Sequence, residues 1–354
     1  MDSPAMAKAG AISALSRRFL RTDGKCPQSH SDAFTIHGAR TIMSVMRRTI
    51  RSPADFQTAP VPFMHSDLEA RGLTEFALKD QSRFLQVFRG VWVEADPSSR
   101  VLCPPWADQK WLLQQVRLSA LLLLHPNVIG CSLTAAALYG LPLPSRRKDF
   151  DTHVISDNRG RRIRRKAVQL HRGSGFDITE FYNLPLVSAT DLFFELAPLI
   201  SEADLIALGD AAISRQNSGP LTSLDQLREK AAASQYLKAR KSVRRALSLI
   251  RETVDSPRET WLRLWIIANG FPEPEVHPEV KCSTVSATLR PDLGYPDIKL
   301  AIEYEGDHHR TSSYQFGADI ERRQLLEAEG WVVLRVSKRT DMGTFKHILA
   351  IHLG

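Results

Sequence analysis

Asp292, Glu303 and Glu305, with His308 and His309 close behind, are the residues of this chain whose types and spacing suit chemistry. The stretch LAIEYEGDHHR, residues 300–310, ends an apolar run in two glutamates, then adds a glycine, an aspartate and two histidines. In an extended strand successive side chains point to opposite faces. Leu300, Ile302 and Tyr304 then face one way, and Ala301, Glu303 and Glu305 the other. A reversal around Pro296 to Ile298, in the turn GYPD, sets Asp292 opposite Glu303. Three carboxylates at one end of a small sheet repel one another and raise one another's pKa unless a cation stands among them. Mg²⁺ is the natural neutraliser, with Mn²⁺ as the alternative, because a hard divalent ion takes oxygen ligands and keeps several waters. Such an ion activates water and stabilises the charge that builds on a phosphodiester. A histidine directly after the strand, His308 or His309, is placed to move a proton or hold a water. The bland alternative is a solvated acidic strand end with incidental histidines.

The flanking sequence supplies the elements that must hold these groups. SPRETWLRLWIIANG predicts a helix with Ser256 at the N-cap, Pro257 at the first helical position and Glu259 at the third, a capping-box pattern. Capping alone accounts for Glu259. Leu262, Trp265, Ile266 and Asn269 follow along it, and Gly270 ends it. Three strands are expected next, the first starting in EPEVHPEVK, the second SATLRPDLG and the third IKLAIEYEG. FGADIERRQLLEAEGW predicts a helix with Ile320, Leu325 and Leu326 as apolar positions and Arg322 and Arg323 within reach of a phosphate. WVVLRVS predicts a buried strand, and DMGTFKHILAIHL a closing helix capped near Asp341. Helix, three-strand meander, helix, strand, helix is an α/β sheet with helices on its faces.

This segment resembles the PD-(D/E)XK, restriction-endonuclease-like superfamily, and within it the branch related to the very-short-patch-repair (Vsr) endonucleases. The pattern E-x-[DE]-G-x-x-H reads here as Glu303, Glu305, Gly306 and His309, and the resemblance covers about residues 256–353. It implies metal ligands at Asp292, Glu303 and Glu305, with His309 as proton-transfer or water-positioning partner. It also implies accessory acids at Glu259 and Asp319. The lysine of the superfamily name is absent and Glu305 stands in its place, so the resemblance leaves the general base unassigned. The activity it implies is metal-dependent endonucleolytic hydrolysis of DNA. The rival expectation is a DNA-binding regulator of the antitoxin kind with a degenerate nuclease domain.

At 354 residues, 43% hydrophobic and 24% charged, the chain has room for two or three soluble domains, and its net charge of +8 favours an anionic partner. The four cysteines, Cys26, Cys103, Cys131 and Cys282, lie far apart, which argues against a zinc site or a disulfide framework and suits a reducing cytoplasm. The longest apolar run, LSALLLLHP, is too short to span a bilayer, and no signal peptide is read. Residues 1–60 predict a disordered basic arm.

Residues 64–105 predict a small winged helix-turn-helix: a first helix capped by Ser66 and stopped by Gly72, a second capped by Thr74, then a hairpin through FLQVFRGVWVEA. The order of elements and the FRGVWV wing resemble the N-terminal domain of AbiEi-type antitoxins, which implies DNA contact through Lys79, Arg83 and Arg89. Residues 106–245 predict a mixed α+β region, with a short helix from Ser132 to Gly140. Two strands follow around a basic turn that holds Arg159, Arg161, Arg162, Arg164, Arg165 and Lys166. So dense a cluster of cations suits phosphate contacts. A mostly helical stretch from LPLVSATD onward completes the region.

Overall fold

The structure is a computed structural model, described for residues 58–95, 100–144, 151–156, 163–215, 219–233, 239–283, 285–306 and 313–354. It is a mixed α/β protein with several separate sheets, and its described residues fall into two compact units that divide between Ile250 and Arg251. Among the described residues no helix is long and apolar enough to cross a membrane. Residues 1–57 of the expected disordered arm lie outside them, while its last three, Thr58–Pro60, are strand and not disordered.

The first unit begins with β1 (Thr58–Pro60), β2 (Phe63–Met64), β3 (Phe84–Phe88), β4 (Val91–Glu94) and β5 (Arg100–Leu102). β1 pairs with β5, and β2, β4 and β3 form a three-stranded antiparallel sheet over Phe63, Leu68, Leu78 and Phe84. The expected hairpin is therefore present as β3 and β4. The two expected helices are replaced by three single 3-10 turns, His65–Asp67, Glu69–Arg71 and Ala77–Lys79. The Asp67 carboxylate accepts the Met64 N–H at 2.9 Å, so Ser66 lies inside the first turn and caps nothing. Gly72, at φ +64°, stops the chain before a helix can propagate.

The unit continues through α1 (Gln109–Leu124), β6 (Val128–Gly130), α2 (Ser132–Leu138), β7 (Thr152–Ser156), β8 (Val168–His171), β9 (Ile178–Phe181) and β10 (Leu184–Val187). The strands form one sheet in the order β8-β7-β6-β10-β9. The apolar run LSALLLL lies in α1, a core helix that buries Trp111, Leu113, Val116, Leu118 and Leu121. The expected strands on either side of the arginine cluster are β7 and β8, but they pair parallel. Antiparallel neighbours can be joined by a tight turn, whereas parallel ones need a crossover. The parallel pairing rules out the tight hairpin expected there; residues 157–162 of the connection lie outside the described residues. α3 (Ala189–Leu196), α4 (Glu202–Ile213), α5 (Leu224–Ala233) and α6 (Arg240–Leu249) complete the unit, in line with the helical periodicity.

The second unit opens with α7 (Pro257–Ala268), capped by Ser256, whose hydroxyl accepts the Glu259 N–H at 3.2 Å. Then come β11 (Glu275–Val276), β12 (Val280–Lys281), β13 (Thr288–Leu289), β14 (Leu293–Tyr295), β15 (Leu300–Glu305), α8 (Ser313–Ala328), β16 (Val332–Ser337) and α9 (Met342–Leu353). The first two expected strands are each broken in two: β11 and β14 stay in the main sheet, ordered β11-β14-β15-β16, while β12 and β13 form a ribbon of their own. Leu300 and Ile302 pack with Leu262 and Ile266 of α7 and Phe345 and Leu349 of α9, while Ala301 packs on the other face with Leu326 of α8. Ile320, expected as an apolar core position of α8, is 42% exposed. β16 runs parallel to β15, and the Asp341 carboxylate caps α9 through Gly343 and Thr344.

β14 and β15 approach closely at Gly294, where an added Cβ would stand 2.9 Å from the Leu300 carbonyl oxygen. Gly294→Ala must therefore push the two strands apart. The expected loss is about 1–3 kcal/mol of stability, read as a lower urea midpoint.

Candidate metal centre

The site grows from the β14–β15 register. Leu293 pairs with Ile302, which places Asp292 across from Glu303, as the alternation argument requires. The Tyr304 N–H donates to Asp292 Oδ2 at 2.7 Å and holds that carboxylate against the strand. From α7 comes Glu259, buried at 6% exposure. Its Oε2 accepts the Asp255 N–H at 3.0 Å, so its carboxylate reaches back to the residue before Ser256.

The fourth group is His277, which the sequence reading passed over. It sits where the first expected strand breaks, with φ +50°. A positive φ is costly for a non-glycine residue, and His277 also precedes Pro278, which narrows its backbone choices further. Its N–H donates to the Asp292 carbonyl at 3.2 Å, and that bond fixes the break. Its Nε2 lies 3.2 Å from Glu259 Oε2 and 3.7 Å from Asp255 Oδ2. Ligand atoms of Glu259, His277 and Asp292 all stand within 4.8 Å of one another. The histidine was visible in sequence only as His-Pro interrupting an alternating run, since proline inside such a run marks a strand end or a bulge.

The electrostatics express crowding. Burial first, then the charges of Glu259 and Glu303, push the Asp292 carboxyl up to about 6, against the opposing pull of the Tyr304 N–H and His277. His277 is raised above its ordinary value, chiefly by its hydrogen bond to Glu259 and further by the charges of Asp255, Glu259 and Asp292. A carboxyl pushed up beside an imidazole whose value is also raised marks a cluster short of positive charge. Carboxylate oxygens with one imidazole nitrogen suit a divalent cation, and the imidazole makes the set more hospitable to Mn²⁺ than an all-oxygen set.

The two strand glutamates have arginine partners. Glu303 accepts from Arg322 Nε of α8 at 3.1 Å, and Glu305 accepts from Arg335 Nη1 of β16 at 2.7 Å. Glu305 lies at the strand end with its side chain 45% exposed and is not in the cluster with Glu259, His277 and Asp292. His308 and His309 lie outside the described residues, as does the side chain of Asp319.

Of the expected phosphate-contacting groups, Arg161 and Arg162 lie outside the described residues, Arg164 is exposed, and the Arg165 guanidinium stands 5.9 Å from the Phe88 ring centroid. Arg89 is exposed, Lys79 lies 5.1 Å from the centroid of Phe76, and Arg83 is paired with Glu94 at 2.8 Å. Asp67, Glu69, Glu75, Asp80 and Glu94 stand among these cations of the small first sheet, so that module is not uniformly basic.

No family model and no curated protein matches the chain. Among solved structures, the crystal structure of the RV2827C protein from Mycobacterium tuberculosis is similar over 71% of this chain and 90% of that one, with 15% sequence identity and a TM-score of 0.35.

Proposed function

We propose that the chain is a divalent-metal-dependent endonuclease acting on DNA, with its hydrolytic site in the unit from Arg251 onward. The observation that carries this reading is the convergence of Glu259, His277 and Asp292, with Glu303 across the strand from Asp292. The order of elements around these residues is the one the restriction-endonuclease-like resemblance implies; of its three expected ligands Asp292 and Glu303 lie across the strands from each other, Glu305 stays outside the cluster, and Glu259, expected as accessory, joins it. In this reading Asp292 and Glu303 are the principal ligands, and Glu259 and His277 complete the set. A divalent cation there supplies positive charge to the phosphate and makes water a better nucleophile near neutral pH. The Tyr304 N–H keeps Asp292 aimed at the site. His277 Nε2, hydrogen-bonded to Glu259, can hold or release a proton at the edge of the reacting groups. In this reading DNA contacts come from Lys79, Arg83 and Arg89 of the first module and from Arg164 and Arg165 of the basic segment between β7 and β8.

A second reading rests on one specific observation: Glu303 and Glu305 each have an arginine beside them, a neutralisation that needs no metal. In that reading the domain is a degenerate nuclease fold in an antitoxin-like DNA-binding regulator. The deciding experiment incubates the purified chain with plasmid and with labelled single-stranded DNA, in Mg²⁺, in Mn²⁺ and in chelator, beside Glu303→Ala. Metal-dependent cutting that disappears in the variant is the expected result. Salt-sensitive binding with no cutting on either substrate selects the regulator.

A further inference from the structure

Arg322 was expected to touch a nucleic-acid phosphate, yet the structure places it on a candidate metal ligand. Its Nε donates to Glu303 Oε1 at 3.1 Å, and its Nη2 donates to the carbonyl oxygen of Arg290, two residues ahead of Asp292. One guanidinium thus spans from α8 to β15 and to the segment that leads through Asp292 into β14. Its side chain is 36% exposed, whereas that of Glu303 is 15% exposed. The carboxylate is therefore largely withdrawn from water, while the cation keeps a path to it. Arg323, the neighbour on the helix, is tied to Glu327 one turn on and faces away from this task. Arg335 serves Glu305 at the strand end, beyond the register pair of Asp292 and Glu303.

We infer that Arg322 is an exchangeable counter-ion: it neutralises Glu303 while no metal is bound, and is displaced toward a substrate phosphate when a divalent cation takes that carboxylate. The inference rests on the metal-centre reading above. Its physical basis is that Glu303 cannot serve two cations at full strength, since like charges a few ångströms apart in a half-buried site repel strongly. The monovalent partner on a flexible, part-exposed arm is the one that yields. Guanidinium is also a good phosphate ligand, because its planar fork matches two phosphate oxygens. Metal binding and phosphate binding then help each other, and by linkage the gain must be reciprocal.

The test uses the full chain, with Mn²⁺ alone followed by calorimetry, then a phosphorothioate DNA duplex with and without Mn²⁺. Arg322→Gln is expected to bind Mn²⁺ about fivefold tighter than the unaltered protein, because a competing ion pair of about 1 kcal/mol is gone. In the unaltered protein Mn²⁺ tightens duplex binding, and in Arg322→Gln most of that gain is lost. Arg322→Lys keeps the charge and is expected to hold Mn²⁺ within about twofold of the unaltered protein. A measurement free of any variant is the Arg322 Nε–H resonance of selectively labelled protein, which should lose its hydrogen-bonded signature on saturation with Mg²⁺.

Equal or weaker Mn²⁺ binding by Arg322→Gln, or an Nε–H signal that persists at saturation, makes Arg322 a fixed brace and overturns the inference while the metal centre stands. An unaltered protein that binds no Mn²⁺ overturns both.

Discussion

Asp292→Ala is expected to lower metal-dependent DNA cleavage by about a thousandfold or more, while duplex affinity in chelator stays within about threefold of the unaltered protein. The asymmetry follows from the geometry. Asp292 stands between the Glu259–His277 pair and Glu303, so its loss removes the group shared by both halves of the site. The DNA-contacting cations proposed for the chain lie on other segments and are untouched. The alanine variant also leaves the half-buried Tyr304 N–H without its acceptor, at a cost of about 1 kcal/mol. Asp292→Asn is therefore the companion variant, because its amide oxygen still accepts from Tyr304 while its charge is gone. Cleavage by either variant at the unaltered rate would remove Asp292 from the mechanism. A parallel loss of binding and cleavage in both would point to a folding defect.

The second large effect is on stability. Asp292 has its carboxyl pushed up to about 6 in the folded protein, above the 3.8 of an ordinary aspartate. Between those values the folded state holds more protons than the unfolded one, so stability falls as pH rises across that window. Each pH unit is worth about 1.4 kcal/mol, so an ionised Asp292 costs about 3 kcal/mol near neutral pH. His277 acts in the same direction. Its folded value is raised by Glu259, so its contribution is full below its ordinary value and is lost as pH rises through the raised one.

The metal-free protein should therefore be more stable near pH 4.5 than at 7.5, as far as this cluster decides it, with the two values read as urea midpoints in chelator. Asp292→Asn should gain up to about 3 kcal/mol at pH 7.5 and almost nothing at pH 4. A loss at pH 7.5, or the same change at both pH values, would contradict the crowding argument. Adding Mn²⁺ at pH 7.5 should restore stability to the unaltered protein and do little for the variant, because the cation favours deprotonated ligands in the folded state alone. An acid kept ionised at such cost, beside a histidine held at positive φ, is the kind of stored strain found where a ligand is awaited.

Much of the second unit was legible because its signals are local. Ser256, Pro257 and Glu259 mark the start of α7 within four residues, and strand alternation alone sorts Leu300 and Ile302 from Ala301 and Glu303. The turn at Pro296 to Ile298 sets the hairpin register, and with it the pairing of Asp292 with Glu303. Local signals misled where competing short-range bonds were stronger. Asp67 captures the Met64 N–H and Gly72 halts the chain, so two expected helices shrink to single turns.

By itself, then, the sequence determined the caps of α7 and α9 and which acids share a strand face of β15, because these depend on backbone geometry over a few residues. Tertiary structure alone decided three further matters. β7 and β8 are parallel, since sheet direction is chosen by how the whole layer packs and not by the strands' own residues. His277 joins the acids, because a broken strand brings it beside Glu259, eighteen positions back in the chain. Arg322 and Arg335 settle on Glu303 and Glu305, because which cation meets which carboxylate depends on distances between elements far apart in sequence, where charge but not position can be read from residue type.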